Sequence, residues 1–437
     1  MLQMLKPNET LELSGGGRCS VRRLLGSGGQ GEVYEVESDS VLYALKWYYP
    51  RNATKKQMAA LKYLVNRGAP SEQYLWPLGL VSAKNGKSCG YLMKLRSPEY
   101  KSINDLMTRR AEPGYRALCS AGAQLADSFH RLHLQGLCYR DISFGNVFFH
   151  PRTGDVLIGD NDNVCVNGNG EAAVLGTPRF MAPEIVRLEA KPSIDTDLFS
   201  LSVLLFYMFM LHHPLEGRRE QEIRCMDLPA MRRLYGEQPL FIFDALDKSN
   251  EPVSGQQDNA IIYWQIYPGA LKQLFVQAFT RGIKDPQNGR VRESQWRKAF
   301  RQLRDSIIYC GSCGSENFYD KDKAQASIPM LCWQCQKTLS MPLHMYLGDN
   351  VIMLNKGCKI YRHHFDVTQG DAAGDVLAEM AQHPENRSVW GLRNKGKEKW
   401  SVARADGTLL EIPPGKSFQP ADGTKVYFGK GEGLIRS

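Results

Sequence analysis

The polar and apolar positions divide the chain into stretches of different period. Residues 18–49 contain "CSVRRLLG", "GEVYEVES" and "SVLYALKWYY", in which β-branched and aromatic residues stand between turn signals, and the pattern predicts three strands. "ATKKQMAALKYLVNRG", 53–68, predicts a helix that stops at Gly68. Strands are expected again at about 75–95, and helical patterns dominate from about 115 to 305, broken by a loop-rich span at 150–183. "LFSLSVLLFYMFML", 198–211, contains Ser200 and Ser202 and is too short to cross a bilayer, so a buried core helix is expected. "DKSNEPVSGQQDNA", 247–260, predicts an exposed loop. A Cys-rich unit follows at about 308–340. The remainder, including "KWSVARADGTLLEIPPGKSFQPADGTKVYFGKGEG", predicts short strands parted by Asp-Gly and Pro-Gly turns. The fold class expected is α+β, without internal repeats.

At 437 residues the chain is too long for one ordinary core and suggests two or three domains. Its 43% hydrophobic and 23% charged residues are those of a globular protein. The net charge of +9 admits a nucleic-acid partner. However, the densest basic cluster (Arg281, Lys284, Arg290, Arg292, Arg297, Lys298, Arg301, Arg304) is interrupted by Asp285, Glu293 and Asp305, so a solvated helix face is expected and nucleic acid is not. "MLQMLKPNETLEL" does not read as a signal peptide. Of the eleven cysteines, four form two CxxC pairs and the rest lack regular spacing. That usage suits a reducing compartment and a metal site, so a cytoplasmic protein without membrane contact is expected.

"GSGGQGEV", 26–33, fits G-x-G-x-x-G-x-V through Gly26, Gly28, Gly31 and Val33. A Rossmann turn shares that spacing but opens a helix, whereas here "EVYEV" continues as a strand. Ala44 and Lys46 lie in "YALKWY". In "YRDISFGNV", 139–147, Asp141 and Asn146 have the H-R-D-x-x-x-x-N spacing. "VLIGDND", 156–162, leads through apolar or small residues into Asp160, as such residues lead into the metal-binding Asp of D-F-G, and strand register favours Asp160 over Asp162 for that position. "GTPRFMAPE" (176–184), "DTDLFSLSVLLF" (195–206) and "DPQNGRVRE" (285–293) complete the series. Each motif alone is weak. In this order, over roughly 15–305, the sequence resembles the eukaryotic-like Ser/Thr protein kinase superfamily.

The resemblance implies a two-lobed fold, an N-lobe at 1–96 and a C-lobe at 97–306, with a hinge near Met93–Arg96. ATP would lie between the lobes. Gly26, Gly28 and Gly31 would cover its phosphates, Lys46 would pair with them, and Val33, Ala44, Met93 and Leu95 would line the nucleotide site. Asp141 would accept the substrate hydroxyl proton, and Asn146 and Asp160 would hold Mg²⁺ (or Mn²⁺). Glu184 would pair with Arg290, and Asp197 would hold the catalytic loop.

Four departures from the family pattern stand out. Gln57 occupies the position of the helix Glu that pairs with the strand Lys, and no acid lies between Lys46 and Glu72, so an uncharged Gln57–Lys46 hydrogen bond is expected. Ser143 replaces a Lys. Asn161 and Asp162 replace the Phe and Gly of D-F-G. Tyr139 replaces a His and is expected to take over its packing. With Lys46, Asp141, Asn146 and Asp160 all present, the expectation is an ATP- and Mg²⁺-dependent Ser/Thr kinase that also autophosphorylates; the alternative is a nucleotide-binding pseudokinase scaffold. Between Asp160 and Gly176 there is no Ser, Thr or Tyr, which leaves Arg140 without a phosphosite there and Thr177 at the substrate end of the segment.

"CGSC" and "CWQC" form C-x₂-C-x₁₈-C-x₂-C, the spacing of a structural four-thiolate Zn²⁺ site built from Cys310, Cys313, Cys332 and Cys335 within a zinc ribbon at 307–340. "HHPLEGRR", "LPAMRRLYG" and "CGSENFYD" resemble the bacterial kinase of tellurium-resistance and stress operons. That resemblance implies a VWA-domain protein and a PP2C-type phosphatase as partners besides the protein substrate. The β-rich tail, 341–437, is similar to a degenerate forkhead-associated sandwich, and a structural or docking role is expected of it.

Overall fold

The computed structural model describes residues 3–83, 88–168, 176–369, 375–429 and 431–437. The chain forms two compact units: Met1–Pro113 with Leu125–Ile261 and Leu274–Trp296, and Gly114–Gln124 with Ile262–Gln273 and Arg297–Ser437.

The first unit begins with a closed antiparallel barrel of β1 (Thr10–Leu13), β2 (Arg18–Ser27), β3 (Gly31–Ser38), β4 (Val41–Tyr48), β5 (Gly79–Ser82) and β6 (Cys89–Lys94), in the order β1-β2-β3-β4-β6-β5. β1 is absent from the sequence-based expectation: its four residues, "TLEL", form too short a run to be noticed alone, yet it closes the barrel by pairing with both β2 and β5. Alternate residues of a strand face opposite ways. Leu45 and Trp47 of β4 therefore join Tyr34, Val36, Val81 and Leu92 in one apolar cluster. Ala44 and Tyr48 join Tyr91 and Met93 in a second cluster, with Leu61 of the helix α1 (Lys55–Arg67). Lys46 lies between Ala44 and Tyr48 and shares their side of the strand. Thr54 caps α1 by accepting the backbone N–H of Gln57 at 3.1 Å, and Gly68, at φ +78°, ends it.

The helix Ile194–Met210 carries the apolar run and is buried from Thr196 to Met210. Its serines are satisfied internally, Ser200 on the carbonyl of Phe180 and Ser202 on that of Leu198, both at 2.7 Å. A Ser193–Thr196 capping box starts it.

Two expectations fail here. Residues 247–260 are not a simple exposed loop: Asp258 begins a helix, and Asn250 and Gln257 are buried. Asn250 gives its amide to the carbonyls of Leu215 and Leu240, so its polarity serves buried backbone rather than water. Nor is 281–304 simply a solvated face. Arg290, Arg301 and Arg304 are buried. Arg301 donates to the carbonyl of Gln369 at 2.9 Å, and the Arg304 guanidinium lies 4.6 Å from the Tyr361 ring centre.

In the second unit, a hairpin of Ile307–Tyr309 and Glu316–Phe318 precedes a β-rich region. A six-stranded sheet has the order Asn350–Met353, His344–Leu347, Glu432–Arg436, Lys425–Tyr427, Trp400–Ala403, Leu409–Ile412. A four-stranded sheet has the order Lys359–Tyr361, Val376–Gln382, Trp390–Asn394, Ser417–Phe418. Residues of both sheets, among them Met345, Ile360, Ala378, Leu392, Val402 and Val426, share one apolar core. Among the described residues, no helix is long and apolar enough to cross a membrane.

Candidate active site

Lys46 is 5% exposed, so its ammonium must be met by buried partners. It meets four acceptors: Gln30 Oε1 at 2.9 Å, Asp160 Oδ1 at 2.8 Å, and both carboxylate oxygens of Asp162 at 2.9 Å. Burial pulls its pKa down, but the charges of Asp162 and Asp160 outweigh that and leave it raised. Gln57 is not among the partners, contrary to the expectation from its position. Its amide instead reaches Tyr48 Oη at 3.3 Å and the backbone oxygen of Asp162 at 3.5 Å. The physical reason is that the short turn Asn161–Asn163 already brings a buried carboxylate against Lys46.

The same turn separates the two acids. Asp160 stands at its head with φ +51° and a side chain 38% exposed, whereas the Asp162 side chain is fully buried. Desolvation and the neighbouring Asp162 charge raise the Asp160 carboxyl above its ordinary value, against the pull of Lys46. Asn161, where the family has Phe, is wholly buried and donates to the carbonyls of Leu75 and Ile158, both at 2.9 Å.

The loop at 139–147 is held from beneath. Asp197 accepts the backbone N–H of Tyr139 and, at 2.9 Å, that of Arg140. Tyr139 is fully buried and donates its hydroxyl to the carbonyl of Gly159, which joins this loop to the segment carrying Asp160. Asn146 donates its amide to the Asp141 carbonyl at 2.8 Å, which leaves its Oδ1 as the end suited to a cation. Asp141 Oδ1 accepts the Thr177 hydroxyl at 2.9 Å. Arg140 is spent on the carbonyl of Asn163. Glu184 receives Arg290 through both oxygens, at 2.7 and 2.8 Å. Residues 169–175, which include part of the stretch without hydroxyl residues, lie outside the described residues.

Residues 19–260, more than half of the chain, match the protein kinase domain family. The chain belongs to the protein kinase family. It is 24% identical to "Protein kinase YegI" of Escherichia coli (strain K12) over 324 residues, covering 70% of this chain and 48% of that protein. It is 34% identical to "Protein kinase C delta type" of Mus musculus over 134 residues, 29% of this chain and 19% of the other. It is 31% identical to "Probable serine/threonine-protein kinase WNK10" of Arabidopsis thaliana over 116 residues, 26% of this chain and 21% of the other. The chain thus spans about half or less of the length of these relatives.

Within the kinase domain, Val33, Leu95 and Leu157 pack against the buried cluster that holds Ala44 and Met93. Ala44 faces Met93 across β4 and β6. Leu157 was not a sequence candidate, although its place three residues before Asp160 was a signal that could have identified it. Gly26 and Gly28 lie around the β2–β3 turn, where an added Cβ would meet nothing within 4 Å. At Gly31 a Cβ would meet the Trp47 carbonyl oxygen at 2.1 Å. Of these three glycines, Gly31 is therefore the one that the fold's own packing demands.

The second unit gathers Cys310, Cys313, Cys332 and Cys335 with their sulfurs all within 4.8 Å of one another. The two CxxC turns share one construction. Cys310 and Cys332 donate their N–H to Ser315 and Lys337, and the positive-φ residues Gly314 and Gln336 donate back to Cys310 and Cys332, at 2.8–2.9 Å throughout. Asn317 adds a contact to the Cys332 sulfur at 3.5 Å.

Proposed function

We infer that this chain is an ATP- and Mg²⁺-dependent protein kinase that phosphorylates Ser and Thr hydroxyls, its own included. The observation that carries the reading is the Asp141 carboxylate, fixed against the Asn146 amide and accepting the hydroxyl of Thr177. A carboxylate that accepts one hydroxyl here is suited to accept the proton of an incoming one. Lys46 would pair with phosphate oxygens. Val33, Ala44, Met93, Leu95 and Leu157 offer an apolar wall to a purine. Gly26 and Gly28, which nothing in the fold crowds, let backbone N–H groups approach phosphates. Asn146 Oδ1 and the partly exposed Asp160 carboxylate are hard oxygen donors of the kind that hold Mg²⁺ or Mn²⁺, and the ion would neutralise charge on the transferring phosphate.

A second reading is a scaffold that binds nucleotide without transferring phosphate. It is favoured by Ser143, which supplies a hydroxyl where the family supplies a cation. Asp141→Asn separates the two. A kinase loses phosphate transfer in this variant while its Mg-nucleotide affinity, read by calorimetry, stays nearly unchanged. Wild-type protein that binds nucleotide but transfers no more phosphate than Asp141→Asn, with either metal, leaves the scaffold reading standing.

Four thiols brought together by two matching turns fit a tetrahedral Zn²⁺, which Cys310, Cys313, Cys332 and Cys335 would hold as a structural ion. The division into lobes at 1–96 and 97–306, ribbon at 307–340 and β domain at 341–437 belongs to the same proposal, as does a cytoplasmic location. So does a bacterial stress module with a VWA-domain protein and a PP2C-type phosphatase, which rests on the sequence resemblance alone. Co-purification of the two partners with the full chain tests it.

A further inference from the structure

Lys46 lacks the acid that α1 would be expected to present, and yet it is buried beside two others. We propose that Asp162 is a positioning residue that replaces the missing helix carboxylate, clamping Lys46 toward the phosphates and leaving Asp160 to the cation. The proposal deepens the kinase reading above and rests on it.

The two acids are not equivalent. Asp162 is fully buried, and both its oxygens are engaged: by Lys46 at 2.9 Å, by the Tyr48 hydroxyl, and by the Tyr91 hydroxyl at 3.2 Å. Lys46 is the cation among these partners, so the buried pair compensates itself. Asp160 makes a single 2.8 Å contact with Lys46 from a side chain 38% exposed, and it can turn to a metal without leaving a buried charge unmet. Asn161 keeps the two in their places. Its amide bonds to Leu75 and Ile158 hold the turn, so that residues two apart in sequence serve different ends. Behind them Gln57 reaches Tyr48 and the Asp162 backbone with a neutral amide. A carboxylate there would face Asp162 as a like charge. The acid-free α1 and the acid after Asp160 are thus two halves of one rearrangement. One consequence is that Lys46 takes its orientation from the turn after Asp160 and not from α1.

The test compares wild type with Asp162→Asn, which keeps the side-chain shape and removes the charge, and with Tyr91→Phe, which removes a neutral contact and keeps the charge. Calorimetry reads affinity for the Mg²⁺ complex of a non-hydrolysable ATP analogue and for adenosine. Asp162→Asn is expected to lose about tenfold or more in affinity for the analogue while binding adenosine within about twofold of wild type, because only phosphates use Lys46. Tyr91→Phe is expected to lose about threefold at most. Melting of K46M, D162N and K46M/D162N gives a readout without nucleotide: the double variant should lose fewer degrees than the two single shifts summed. Wild-type affinity for the analogue in Asp162→Asn, or additive melting shifts, overturns the proposal. If wild type itself binds no nucleotide, the kinase reading falls, and the melting cycle alone still decides whether Asp162 holds Lys46.

Discussion

His133 should make the stability of the first unit fall between pH 6.5 and about 9. Its ring is 5% exposed and bridges two acids, with Nε2 3.2 Å from Asp197 and Nδ1 on Glu293. Burial alone would lower its pKa, but the bonds to Asp197 and Glu293 and their charges raise it to about 9, from an ordinary 6.5. The native state therefore holds a proton that the unfolded chain releases at lower pH. The stabilisation is fully present below pH 6.5 and is lost as pH rises through about 9. A difference of about 2.5 pKa units amounts to about 3 kcal/mol, lost at no more than about 1.4 kcal/mol per pH unit. The assay is denaturant unfolding of wild type and His133→Gln across that range, taking the difference so that titrating groups away from His133 cancel. The gap should be constant below pH 6.5, narrow by about 3 kcal/mol, and level off above about 9. Parallel profiles would show that His133 is not a buried cation. Asp197 also holds the N–H groups of Tyr139 and Arg140, so phosphate transfer should decline over the same alkaline range and do so less in the variant.

Gln57→Glu should lower the melting temperature and weaken phosphate transfer, because it sets a second carboxylate against the Asp162 carbonyl and behind the Tyr48 hydroxyl that bonds the Asp162 carboxylate; the cost is about 1–3 kcal/mol, and a higher melting temperature would count against the Lys46–Asp162 pair. Glu184→Ala should destabilise by about 3–5 kcal/mol in denaturant unfolding, since it takes the carboxylate partner from the Arg290 guanidinium, whose side chain is 2% exposed and is left with the carbonyls of Gly282 and Asp195; Glu184→Gln should cost less. Purified full chain should carry about one Zn²⁺ by metal analysis, and Cys332→Ser should lose it while the barrel residues keep their hydrogen-exchange protection. Full-chain protein prepared without chelators and containing no zinc would refute the ribbon.

The parts of the site that were legible in the sequence are those whose chemistry is written locally. Asp141 and Asn146 share one loop, Ala44 and Lys46 one strand, and the cysteine turns each fit in four residues. Glu184 and Arg290, though 106 residues apart, lie in motifs recognisable by themselves. What could not be read is pairing that depends on a turn's shape. Lys46 and Asp162 are 116 residues apart, and the sequence directs the search for a lysine partner to α1, where only Gln57 stands. Two facts pointed the other way: no acid lies between Lys46 and Glu72, and an acid follows Asp160 at the position of a family Gly. A buried ammonium cannot go uncompensated, so the lack of one acid and the surplus of another were a single observation. The same logic accounts for the misread arginines and for Asn250. Composition tells that a side chain is polar, while burial decides whether water or the protein satisfies it. Where a buried charge lacks its usual partner, a polar residue out of place elsewhere must meet it, and at Lys46 that residue is Asp162.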